Sequence, residues 1–300
     1  MLGSRFYKAH GLGNDYLVFE EGEFWVASEV NVARVCDRFR GPGGDGIVVL
    51  LKGAGEDTRG SDRIDVRLRM FNPDGGEFER SGNGLRVLGS YLARRDPSLR
   101  SAGIHVGGDE VEMTFHGKEG PVHDISVAMG RARTGADAVA LDPAALRADG
   151  TMDGPLGEPL TVVPVSVGNP HLVVVCEGTA APPSEERLAE VGPFLVAHPA
   201  LRHGANVQLA SVTGAGRCRA LIWERGVGRT SASGTSSCAV AVAMISSGRL
   251  GPGEITVEMP GGTLLVDVDE RLEVTLRGPV EEVFDGELSK ALLATFEPEP

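Results

Sequence analysis

Little in this sequence is aromatic, little of it is cationic, and no stretch of it is long and apolar. Aromatic residues make up 5% of the 300 positions, so the core must be mostly aliphatic and an aromatic cage is a poor expectation for any binding site. No apolar run approaches the ~18 residues that crossing a bilayer as a helix requires. Lys and Arg number 29 against 42 Asp and Glu, a formal net charge of -13, and no basic run offsets it locally. Such a surface repels nucleic acid and anionic lipid, both of which need clustered cations. Cys36, Cys176, Cys218 and Cys238 have neither CxxC spacing nor disulfide density, and residues 1–15 hold no signal-peptide apolar segment. Together these predict a cytoplasmic protein in a reducing compartment. There is no GxxxxGK[ST] and no HExxH, which argues against a nucleotide-phosphate loop and a zinc protease. Gly11-Leu12-Gly13 lacks the third glycine of a dinucleotide fingerprint, and neither Ser81 nor Ser233 is flanked by the glycines of a GxSxG elbow. Nothing marks a cofactor or a metal.

Glycine is what the chain has in excess, 42 of 300 residues, about twice the usual ~7%. The glycines follow no period. They gather beside Asn, Ser, Asp and Pro, as in Gly11-Leu12-Gly13-Asn14-Asp15, Gly41-Pro42-Gly43-Gly44-Asp45-Gly46 and Ser81-Gly82-Asn83-Gly84. Clusters of that kind let a chain turn tightly or bring backbone close to a ligand. Between them lie short runs rich in Val and Ile, at 47–51, 64–70, 162–167, 172–176, 207–212, 218–223, 255–259, 263–268 and 272–276, which read as strands. Helical patterns are fewer, at 29–38, 84–94, 185–191, 236–247 and 288–293. Many strands with few helices, out of strict alternation, predict an α+β fold on antiparallel or mixed sheets.

A weak internal repeat sharpens that expectation. Ser81-Gly82-Asn83-Gly84 opens one apolar helix and Ser233-Gly234-Thr235-Ser236 opens another. Equivalent elements half a chain apart predict two domains of similar build, residues 1–130 joined by 277–300, and residues 131–276. The Pro/Glu-rich end from Glu297 is expected to fray. A helix N-terminus carries unpaired N–H groups and partial positive charge, so each could hold a carboxylate; the plainer reading is that both serines are N-caps. Other polar groups sit at turns: Asn72-Pro73-Asp74-Gly75, Gly168-Asn169-Pro170-His171, Asn206, and Glu224-Arg225-Gly226. Any one of them alone reads as a turn or a solvated pair. As a set, the amides, one carboxylate and one guanidinium suit a zwitterionic amino acid.

These segments, taken in order with His10 ahead of Gly11, Leu85-Arg86 after Gly84, and Met259-Pro260-Gly261-Gly262 and Gly278-Pro279 near the end, resemble the motifs of diaminopimelate epimerases. The resemblance runs from about residue 5 to residue 286. It implies two similar domains, each a mostly antiparallel or mixed sheet wrapped around a central helix, with the substrate in a cleft between them. It implies an isomerase of lysine biosynthesis that uses no cofactor and interconverts LL- and meso-diaminopimelate, one residue removing the α-proton while another delivers a proton to the opposite face. The family often forms homodimers. On this chain the resemblance places the α-carboxylate at the Gly82–Asn83 and Gly234–Thr235 turns and Asn14 near the reacting centre. It gives Asn72, Asn169, Asn206, Glu224 and Arg225 to the substrate, largely its distal end, with His171 close by.

One departure is central. The family's acid and base are both cysteines, and at those two positions this chain has Ser81 and Ser233. A thiol ionises near ~8.5 and lower at a helix N-terminus, whereas a hydroxyl is closer to the ~15.7 of water. Roughly seven powers of ten in acidity, at ~1.36 kcal/mol each, put the cost of the serine base at about 9–10 kcal/mol. Three readings of the serines stand side by side: an engineered pair of Cys-to-Ser changes, a natural homologue that isomerises by another route or is a non-catalytic amino-acid-binding or regulatory module, or serines helped by a neighbour. Isomerases of the phenazine pathway share the architecture and use a carboxylate instead, for which Asp74 and Glu79 are the nearby acids. Cys238, five residues past Ser233, is expected in the core.

Overall fold

The computed structural model describes residues 1–52, 61–78, 81–176 and 182–298. Glu79 and the last two residues lie outside them. The chain divides into two compact units, Met1–Ala128 with Arg277–Pro300, and Met129–Leu276.

The first unit begins with β1 (Leu2–Gly11), β2 (Asn14–Glu21), α1 (Glu29–Cys36), β3 (Ile47–Leu50), β4 (Arg63–Phe71) and β5 (Glu77–Phe78). It continues with α2 (Gly82–Arg95), β6 (Ser101–Val106), β7 (Asp109–Glu119) and β8 (Val122–Arg131), which passes into the second unit at Met129. The second holds β9 (Arg133–Thr134), β10 (Thr151–Asp153), β11 (Pro159–Ser166), β12 (Pro170–Val175), α3 (Glu185–Val196), β13 (Asn206–Gly214) and β14 (Arg217–Glu224). β15 (Gly228–Thr230), α4 (Gly234–Ser246), β16 (Gly253–Met259) and β17 (Gly262–Val268) follow. The chain then runs through β18 (Glu273–Glu287), which lies in the first unit from Arg277 onward, and ends with α5 (Lys290–Leu293).

Both units use one succession of pairings. β1–β2 is antiparallel, β2–β3 parallel, β3–β4 and β4–β5 antiparallel, β4–β6 parallel and β6–β7 antiparallel. β11–β12, β12–β13, β13–β14, β14–β15, β14–β16 and β16–β17 repeat that order. In the first unit, β7–β8, β8–β18 and β18–β1 close the strands into a ring. The mixed α+β sheets expected from the short Val/Ile runs are therefore present, and every expected strand has a counterpart. β1, β7 and β8 escaped the sequence reading because their burial largely alternates (β7 reads exposed–buried over most of its length), which dilutes any apolar run; β2 and β6 were missed although β2 holds five buried residues in a row.

A helix sits at the centre of each unit. All nine residues from Ser236 to Met244 of α4 are buried, as are ten residues of α2, including Leu85, Val87, Leu88 and Leu92. A helix apolar on every side is stable only when surrounded, and in α4 small residues (Ala239, Ala241, Ala243) let strands approach closely. Cys238 belongs to this core, with no exposed surface. α1 and α3 pack outside, α1 with Val32 and Val35 against Phe19, Ile47 and Phe71, and α3 with Leu188, Val191 and Leu195 against Leu172 and Leu209. The chain end departs from expectation at Glu297. Asn31 in α1 donates to the Glu297 carbonyl at 3.0 Å and accepts its N–H at 2.9 Å, which pins the backbone there.

Truncating Leu88, fully buried in α2, to alanine should cost about 2–5 kcal/mol in urea unfolding. Leu156→Ala, at a residue 84% exposed, should stay within about 0.5 kcal/mol. Equal losses at the two sites would contradict a surrounded α2.

Candidate active site

In the first unit the polar groups converge where the β1–β2 hairpin meets the start of α2. The hairpin turns through Leu12 (φ 54°) and Gly13 (φ 89°), two left-handed residues in a row, the geometry that matches the strand twist. Gly11 must be glycine for a different reason: a Cβ there would lie 2.1 Å from Asn83 Oδ1 and 2.9 Å from Arg86 Nη2. That close approach puts Asn14 against α2. Asn83 Nδ2 donates to the Asn14 carbonyl at 2.6 Å and to Asn14 Oδ1 at 2.7 Å, while Arg86 donates to Asn83 Oδ1 at 2.9 Å. Asn14 Nδ2 in turn donates to Asp45 at 2.8 Å. Both side-chain amides are thus held from both ends.

Behind them stands a charged chain that the sequence did not announce. Asp15 is buried, 2.9 Å from Lys8 Nζ and bound by both terminal nitrogens of Arg38 at 2.6 and 3.1 Å. Arg38 also reaches Asp45 at 2.7 Å. Burial by itself would raise the Asp15 pKa, but hydrogen bonds from Arg38 and Lys8 and their charges outweigh it and take it down to about 2. Ser81 is the N-cap of α2, with Oγ accepting from Gly84 N–H at 3.1 Å. Gly82 and Asn83 are buried in the first turn. Asn72 is exposed at the turn whose Gly75 N–H donates to the Asn72 carbonyl. Asp74 is occupied locally, accepting from Gly76 N–H at 2.9 Å.

The second unit presents a corresponding set. Ser233 caps α4 by position, but its side chain makes no capping hydrogen bond, so the two serines are not equivalent. Gly234 and Thr235 are partly exposed, and the Ser233 carbonyl accepts from Ser237 Oγ at 2.8 Å. Parallel pairing of β12 with β13 sets His171 beside Asn206. Asn206 Oδ1 accepts the Arg225 N–H at 2.9 Å, which ties it to the β14–β15 turn that carries Glu224, and the Arg225 guanidinium donates to the His203 carbonyl. His171 has no exposed surface. Its Nε2 lies 2.9 Å from Asn169 Oδ1 and its Nδ1 3.1 Å from Gln208 Nε2, which also donates to Ser236 Oγ at 3.0 Å. Burial, with the nearby Arg225 charge adding, pushes the imidazole pKa down to about 3 against the Gln208 contact, so the ring is neutral. His171 therefore stands behind Asn169, with both nitrogens engaged.

Within its own unit, then, Asn14 meets Asn83 at the start of α2 beside Ser81 and Gly82, Ser233, Gly234 and Thr235 open α4, Asn206 joins Arg225 at the β14–β15 turn, and the buried His171 lies against Asn169. Lys8, Arg38, Asp45, Gln208 and Ser236 were missed. Asp45 lies in a glycine cluster that the sequence reading singled out, and Gln208 is a buried amide in an apolar strand, a mismatch that could have flagged it. Among the described residues no group of three or more His, Cys, Asp or Glu side chains is placed to hold a metal ion, and no helix is long and apolar enough to cross a membrane.

Asp15 gives a test of the charged chain. Its folded pKa lies below the unfolded value near ~3.9, so its contribution to stability is complete above about pH 4 and is lost as pH falls toward 2. Asp15→Asn should lower stability at pH 7 and flatten the pH dependence between 4 and 2. An unaltered acid limb in denaturant titrations would remove the ion pairs from this account.

The diaminopimelate epimerase family model matches residues 6–135 and 163–283. A diaminopimelate epimerase of Desulforudis audaxviator is 37% identical over 95% of this chain and 99% of its own length. One from Synechococcus elongatus is 35% identical over 96% and 99%. Among solved structures, a hydroxyproline epimerase from Agrobacterium vitis with bound trans-4-hydroxy-L-proline superposes with a TM-score of 0.65 at 15% identity, covering 95% of this chain and 92% of its own. A phenazine biosynthesis protein of the PhzF family from Bacillus anthracis gives 0.59 at 16%, over 95% and 98%. The structural likenesses establish an epimerase- and racemase-type fold, and the sequence match extends across both units. The chain belongs to the diaminopimelate epimerase family.

Proposed function

We propose that this chain binds diaminopimelate and acts on its α-carbon through Ser81 and Ser233, far more slowly than a pair of thiols would. The observation that carries the reading is the repeated arrangement of a serine heading a buried helix in each unit, at the two positions where the family has its acid and base. Asn14, Asn72, Asn169, Asn206, Glu224 and Arg225 are proposed as substrate ligands, with the Gly82–Asn83 and Gly234–Thr235 turns supplying N–H groups to the α-carboxylate. The reaction so written needs no cofactor: one serine takes the α-proton and the other returns one from the opposite side.

The two serines divide the work unequally. Gly84 N–H donates to Ser81 Oγ, and a donor of that kind stabilises the oxyanion relative to the hydroxyl. Ser81 is thus the more readily ionised of the two and takes the base role, and Ser233, whose oxygen accepts no such capping bond, the role of the group that holds its proton and delivers it. Preorganised donors recover only part of the roughly 9–10 kcal/mol separating a serine from a cysteine base.

The test is α-proton exchange of LL-diaminopimelate in D₂O, followed by NMR, for the chain as it is and for the Ser81→Cys, Ser233→Cys double variant. Saturable binding with slow or undetectable exchange is expected from the first, and exchange faster by several orders of magnitude from the second. A folded double variant that binds but does not exchange would mean the site has diverged beyond its two serines. Absence of binding in both would end the diaminopimelate reading.

A further inference from the structure

The relay behind Asn169 has a property that none of its members has alone. His171 is neutral, so it carries one ring proton, and its two nitrogens face two side-chain amides. Only two hydrogen-bond assignments are self-consistent. In the first, Gln208 Nε2 donates to His171 Nδ1 and to Ser236 Oγ, the proton sits on His171 Nε2, and that N–H donates to Asn169 Oδ1. Asn169 then turns its N–H₂ group away from the ring. In the second, Gln208 is reversed, Oε1 accepts from His171 Nδ1–H and Ser236 O–H, and His171 Nε2 accepts from Asn169, which now turns its carbonyl away.

The two assignments differ in what they leave unpaired. Gln208, His171 and Ser236 have no exposed surface. The first strands one buried acceptor, Gln208 Oε1. The second would put the Gln208 N–H₂ group in that same place and strand two buried donors. An unmet buried polar group is costly, and the second assignment leaves two where the first leaves one, so the first is favoured.

Resting on the proposed function, we infer that Gln208 is a positioning residue which, through the tautomer of His171, fixes Asn169 as a hydrogen-bond donor and so selects a carboxylate over an ammonium group of the ligand at that point. The Asn169 amide has equal capacity for both. What gives it one polarity lies two residues back in the chain of contacts, on a neighbouring strand, and is anchored by Ser236 to the first turn of α4.

Long-range proton–nitrogen NMR correlations of the histidine rings read the tautomer directly, with the His171 signal assigned by its loss in His171→Asn. Calorimetric titration with meso-diaminopimelate, with 2-aminopimelate (carboxylate kept, distal amine absent) and with lysine (amine kept, distal carboxylate absent) reads the selectivity. The unaltered chain should show the Nε2–H tautomer and bind 2-aminopimelate more tightly than lysine. Gln208→Met, similar in length but without a donor, should give a mixture of tautomers and shrink that preference on the order of tenfold. Ser236→Ala, a smaller change, should move both readouts in the same direction by less, and it serves where the methionine variant does not fold. An Nδ1–H tautomer in the unaltered chain overturns the inference, as does a preference that persists once the tautomer has mixed. Failure to bind any of the three ligands while the Nε2–H tautomer and its loss in Gln208→Met are as expected overturns the proposed function and leaves the relay itself standing.

Discussion

Two helices buried on every side constrain everything else in this chain. α2 and α4 expose residues only at their C-terminal ends, Arg94 and Arg95 in one and Ser246 in the other, so the polar groups of each site gather at the first turn of its central helix and in the loops beside it. The constraint explains where the glycines are needed: Gly11 and Gly84 each lie where a side chain would collide with neighbouring atoms at or beside the start of α2. In the first unit Asn14 is held by Asp45 and by Asn83 of α2, and in the second Asn169 is backed by His171, which Gln208 reaches from the neighbouring strand.

The same constraint accounts for what could be read from sequence. The helix starts were visible because a serine, a glycine and a polar residue before an apolar run is a local signal. The short buried strands were visible for the same reason, since 207–212 and 255–259 declare themselves within a few residues. The partners were not. Asp45 acts on Asn14 from 31 positions away and Gln208 on His171 from 37, and nothing in a local window couples such pairs. Asn14 and Asn169 were legible as site residues through motif resemblance; the orientation of their amides was legible only once the pairing of β2 with β3 and of β12 with β13 was known.

The inequality of the serines follows from packing rather than from residue type. Both stand at the N-cap, both have extended backbone, and both precede a glycine. Yet only Ser81 turns its oxygen onto its own helix, whereas at α4 the hydroxyl of Ser237 takes the Ser233 carbonyl. Near-symmetry of the two units thus supplies two similar positions, and the side chains around each make them chemically distinct. A reaction that removes a proton on one side and returns it on the other needs one group ionised while the other is protonated, and the Gly84 N–H biases Ser81 toward the ionised state.

The closing of the first ring by β18 has a consequence for how the chain must be made. β1 cannot complete its pairing on that side until residues 281–287 exist, whereas the whole second unit, Met129–Leu276, has by then been synthesised. On a ribosome the usual order, in which the amino-terminal part folds first, is therefore reversed: the later unit can finish while the earlier one still has an open edge. An unpaired strand edge is a template for wrong partners. Until β18 is made, the edges of β1 and β8 both stay open, and a chaperone that covers them would protect the first unit through most of translation.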